Sequence, residues 1–144
     1  MNPTMLEKIR VDDETVLNRE TSALQMSSYK GNCKSKFSEF LAGDGSQMSN
    51  MTFEDVMIEG MRFEVFVSFL NARLTSISLA TKTDLDGKEW DIKRDERQNQ
   101  RKLIHNKWLG LGPTEYKIET TWGVISSAND PRETTDAYIE ITYK

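Results

Sequence analysis

The chain is short of the residues from which most enzyme and metal centres are made. Its 144 residues include one cysteine, Cys33, and one histidine, His105. A single thiol closes no internal disulfide, so nothing staples this fold and it must bury a core instead. One imidazole does not make a His-rich metal site, and CxxC and HExxH spacings are missing along with Walker and dinucleotide-binding glycine loops. No metal, cofactor or catalytic residue is therefore expected. Long apolar runs are missing too. The richest stretch, Phe63 to Leu70, is broken by Glu64 and Ser68, far from the roughly 18 consecutive apolar residues of a membrane span. The first twenty residues mix charges of both signs and never reach the run of about 7–15 apolar residues in a secretory signal, which points to a cytoplasmic protein with no membrane partner. An excess of basic charge is also missing. Nineteen Lys and Arg against 23 Asp and Glu leave a net charge of −4, which speaks against coating nucleic acid.

What is present suits one soluble core. Residues 1–34 show neither a 3.6 nor a 2.0 period and read as a loosely ordered arm or an extra strand, ahead of one α+β domain over 35–144. The run S-K-F-S-E-F-L from Ser35 places Phe37, Phe40 and Leu41 at i, i+3 and i+4, which predicts a short helix stopped at Gly43. Strand signals follow. T-F-E-D-V-M-I runs into the turn Glu59-Gly60; Met61, Phe63, Val65, Val67 and Phe69 then alternate with mostly polar residues; and Ile77 and Leu79 alternate with Ser76 and Ser78, giving a meander with one wet side. Rich in Arg, Lys, Gln and Glu, the segment 93–109 predicts a helix that ends at Gly110, Gly112 and Pro113. Two tail strands, Tyr116 to Val124 and Ile139 to Tyr143, are joined by a connection over Ser126 to Asp136 that turns at Asn129-Asp130-Pro131. The expected fold is thus α+β: an antiparallel sheet of about five strands in the order β-β-β-α-β-β, one long helix packed on one face, and a short N-terminal helix.

Candidate chemistry is sparse. Asp84-Leu85-Asp86-Gly87 has the flavour of a calcium loop, but with Gly87 at the sixth position the first and twelfth fall on Lys82 and Lys93, where carboxylates are required, so it reads as a turn. His105, one position from Ile104 and three before Trp108, falls at the edge of a packed helix stripe and not in a cleft. Six basic residues of the 93–109 helix against Asp95 and Glu96 read as a solvated face. Lys34 and Lys36 beside Cys33 favour its thiolate, yet no partner for catalysis is placed near it, and an incidental loop thiol is the plainer reading.

The segments H-N-K-W-L-G-L-G, W-G-V-I-S-S, D-P-R and Y-I-E-I-T-Y, with the meander upstream, resemble a pattern found in small bacterial proteins that carry no assigned activity. The resemblance implies a fold and no particular reaction. Trp122-Gly123 within a strand makes sense if the indole fills core space and the missing side chain lets a neighbouring backbone lie close. Two functions are compatible with these residues. The first is a non-enzymatic binding protein of inhibitor or immunity type, engaging another macromolecule through its sheet face or the 126–136 loop around Asp130 and Arg132. The second is a small-ligand binder or enzyme with a pocket between helix and sheet lined by Trp90, His105, Trp108 and Trp122. Oligomeric state is left open.

Overall fold

A computed structural model describes residues 2–82, 90–128 and 137–144, with the side chains at 90–95 and 97 excepted. The chain begins with a 3-10 turn, Pro3–Leu6, and the strands β1 (Ile9–Arg10) and β2 (Val16–Leu17), which form a two-stranded antiparallel ribbon, then the helix α1 (Ala23–Ser27). Four longer strands follow: β3 (Ser35–Leu41), β4 (Gln47–Ile58), β5 (Met61–Leu70) and β6 (Arg73–Thr81). Helix α2 (Trp90–Leu109) and the strands β7 (Lys117–Glu119), β8 (Gly123–Ala128) and β9 (Tyr138–Tyr143) complete the chain. All seven strands from β3 onward form one antiparallel sheet in the order β3-β4-β5-β6-β9-β8-β7. The first four strands are a plain meander, because each is joined to the next by a tight turn. At the β4–β5 turn Glu59 and Gly60 both adopt positive φ, the backbone that a two-residue hairpin needs to match strand twist.

This architecture overturns the expected α+β fold of about five strands. The molecule is mostly β, and three elements account for the difference. Ser35–Leu41 is a strand, not a helix. Seven residues are too few for a stable helix by themselves, whereas the extended chain pairs with β4 from Ser35↔Thr52 to Leu41↔Gln47 and tilts Phe37 onto Phe69, ring centroids 5.9 Å apart. The Ser-Asn-Met segment before Thr52 belongs to β4 and carries that pairing. The third difference lies in the tail, where the strand expected from Tyr116 to Val124 is broken at Thr120–Trp122 into β7 and β8, which pair with each other (Ile118↔Ile125). The Thr120 hydroxyl closes this turn, accepting from Gly123 N and donating to Gly123 O.

The covering of the sheet also departs from expectation. Its inner face carries Phe63, Val65, Val67, Phe69, Ile77, Leu79, Ile125, Ile139 and Ile141, all essentially inaccessible to solvent. Leu6, Ile9, Leu17 and Met26, from the first 30 residues, are buried in the same cluster. In α2, by contrast, Leu109 is buried and Trp108 packs partly against the core, while Leu103 is 69% exposed. The N-terminal segment therefore shares the covering of this face, which the sequence pattern assigns to one long helix. The apolar residues of α2 fall too far apart to form a continuous stripe.

Helix α2 stops for a local reason. Gly110 has φ +76°, its N–H donates to Lys107 O, and Leu111 N donates to Asn106 O, so the last carbonyls are satisfied by a left-handed residue that glycine tolerates best.

Candidate functional site

The end of β6 shows how α2 is attached. Strand β9 pairs with β6 through Ser76↔Thr142 and Leu79↔Ile139, and no β9 ladder pairing is assigned at Thr81. Side chains of α2 bond the Thr81 backbone there. Thr81 N donates to His105 Nε2 at 3.2 Å, and Arg101 Nε donates to Thr81 O at 2.6 Å. Arg101 and His105 are four residues apart, so one helix face presents both. Because Nε2 accepts a hydrogen bond, the imidazole is neutral with its proton on Nδ1. Burial, then the neighbouring Arg101 guanidinium, pushes the His105 pKa down to about 4. His105 is completely buried, and its ring lies 6.2 Å from that of Phe63. The only imidazole of the chain is thus a structural acceptor, and its bonded nitrogen is occupied.

The other candidates from sequence disperse. Trp108 meets the same Phe63 ring from 4.8 Å and directs Nε1 to Glu59 O at 3.4 Å. Trp122 is buried in the β7–β8 turn with its ring centroid 5.9 Å from that of Tyr143. Trp90 begins α2, but its side chain lies outside the described residues, as do Asp130 and Arg132 and the Asp84–Gly87 turn. The structure therefore brings His105 and Trp108 together around Phe63, as packing partners. Gly123 behaves as a close-approach glycine: a Cβ there would sit 2.6 Å from Thr142 O.

The feature that sequence reasoning missed is on the opposite face of the sheet. There the alternate residues of β6 are small, Ser76, Ser78 and Ala80, and Ser76 is flanked by Ser68 on β5 and Thr142 on β9. One cross-strand row runs Ser38–Asn50–Ser68–Ser76–Thr142 over β3, β4, β5, β6 and β9. The next runs Thr52–Phe66–Ser78–Glu140–Ser126 over β4, β5, β6, β9 and β8. Register shifts between β3 and β4, β4 and β5, and β5 and β6 mark bulges that bend these strands. Over β5, β6 and β9 this face holds a hollow of about 610 Å³, with Ser68, Ser76, Ser78 and Ala80 among its lining residues. That size falls within the roughly 300–1,000 Å³ of small-molecule sites.

Among its described lining residues the charges balance. Glu64 and Glu140 line it together with Lys82 and Arg101. Lys34 Nζ lies 3.0 Å from Glu64, while Glu140 forms no ion pair among the described residues and sits between Ser78 and Ser126 in register. Phe66, 40% exposed, puts an apolar ring beside these hydroxyls. The signal for this site lies in S-I-S-L-A and in Phe66, a phenyl ring between the polar alternates Glu64 and Ser68. Without the strand order, nothing connected them to Glu140. No helix among the described residues is long and apolar enough to cross a membrane. No protein-family model, curated protein or solved structure matches the chain.

Proposed function

We propose that this is a non-enzymatic binding protein, cytoplasmic, whose macromolecular partner lies across the outward face of the seven-stranded sheet and settles in the hollow over β5, β6 and β9. One observation carries the reading: the sheet face is hollowed over the small residues Ser68, Ser76, Ser78 and Ala80, with the charged Glu64, Lys82, Arg101 and Glu140 and the ring of Phe66 also lining the concavity. The complete burial of His105, with Nε2 held by Thr81 N, supports a binding role over a catalytic one, since a general base needs an accessible nitrogen. The test is to fill the hollow. Ser78→Trp places an indole in it without touching the core. Protein carrying this substitution should fold as the parent does and lose the partner retained by the parent from host extract. Equal retention by both would refute the reading.

A second reading keeps the binding role and makes the partner another protein, paired along the edge strand β3. It is favoured by Phe40 and Leu41, which are 49% and 72% exposed on that edge, since an unprotected apolar edge invites strand addition. Phe40→Lys with Leu41→Lys would abolish such pairing and leave the hollow intact.

A further inference from the structure

We infer that the hollow binds a neutral saccharide chain, an inference that rests on the proposed binding face and specifies its ligand. Three properties of the site select this class. First, among its described lining residues two carboxylates stand against two cations, so no net charge there favours a polyanion or a polycation over a neutral ligand. Second, its hydrophilic floor is made of hydroxyls. Ser68, Ser76 and Ser78 each donate and accept, as sugar hydroxyls do, and Glu140, with no ion pair among the described residues, can accept from two adjacent hydroxyls at once. Third, the exposed Phe66 ring lies next to Ser78 in register and supplies a flat apolar surface for the C–H face of a pyranose ring.

An extended peptide fits this place less well. A peptide backbone is recognised by strand edges, whose N–H and C=O groups point in the plane of the sheet, whereas the hollow lies on the sheet's face, where side chains alone project. The small side chains at 68, 76, 78 and 80 leave a low floor with Phe66 and Glu140 standing above it, which suits a ring laid flat.

The experiment has two arms. In the first, the ¹⁵N-labelled chain is titrated with linear neutral hexasaccharides of glucose (α- and β-linked), xylose and N-acetylglucosamine. Amide shifts confined to Ser68, Ser76, Ser78 and Glu140 are expected for at least one of them, with affinity falling about tenfold in Phe66→Ala, the effect of losing one ring contact. In the second, material retained from host extract by the parent and by Ser78→Trp is hydrolysed and assayed for monosaccharides. Sugar that depends on an open hollow supports the inference. Retained material that depends on the hollow but contains no sugar, with no hexasaccharide shifting the four amides, overturns the saccharide and leaves the binding face standing. No difference between parent and Ser78→Trp in either arm overturns both. Because Phe66 faces outward, thermal unfolding of Phe66→Ala at the parent's temperature separates a lost contact from a lost fold.

Discussion

Val65, Val67 and Phe69 on one side of β5 and Glu64, Phe66 and Ser68 on the other share a backbone, yet the first three are inaccessible and the second three meet solvent. Alternation alone separates them. The inner face answers to one requirement, dense packing against β4, β6 and the N-terminal segment, and uses large branched or aromatic groups. The outer face answers to something else. Along β6 its residues are the small Ser76, Ser78 and Ala80, which add little to sheet stability. Two surfaces with the same register and different composition place the packing of the core on one side of the sheet and leave the other side to solvent.

The largest expected effect contrasts these sides directly. Phe69→Ala on the inner face should cost about 3–5 kcal/mol in urea unfolding, whereas Phe66→Ala, three residues earlier on the outer face, should change stability by less than about 1 kcal/mol. Similar losses from both would mean that the outer face is packed as a core.

The attachment of α2 comes next. An unfolded histidine titrates near 6.5 and His105 in the folded chain near 4, so between these values the unfolded state takes up a proton that the folded state refuses. The contribution is complete above about pH 6.5, is lost as pH falls towards 4, and amounts to about 3 kcal/mol if the whole shift is realised. His105→Gln keeps an acceptor for Thr81 N and should remove this part of the slope. Unfolding midpoints at pH 7, 5.5 and 4 for both chains provide the check, and parallel curves would assign the acid sensitivity to other groups.

Gly123→Ala follows, at about 1–3 kcal/mol, because its methyl group would press on the Thr142 carbonyl of the neighbouring strand, a backbone atom with no rotamer to escape into. The smallest effect is expected for Ser76→Thr, within about 0.5 kcal/mol of the parent since the site is a solvated strand position. It should nonetheless narrow the hollow and weaken the binding proposed there. A stability change larger than that of Gly123→Ala would show that the serine row is structural.

Several elements could be read directly. Period-two alternation marks Met61 to Phe69, and glycine after Leu109 marks the end of a helix, because both signals come from residues close together in the chain. Other features depend on distant partners. Phe37, Phe40 and Leu41 satisfy a helical spacing in isolation and a strand only when β4 is alongside. Trp122 alternates with Val124 on paper, but the Thr120 hydroxyl closes a turn there that makes it a corner residue. His105 could be placed at the edge of a packed stripe, while its bond to Thr81 required knowing that α2 meets the end of β6.

The amino-acid order by itself determined which side chains of β5 would share a face and that one histidine and one thiol would supply little chemistry, since alternation and composition are local properties. Only the tertiary structure decided that β9 returns to lie beside β6, and with it that Ser78, Glu140 and Phe66 face one hollow. Residues separated by more than sixty positions become neighbours only through burial of the apolar side of the sheet, and that energy depends on every strand at once.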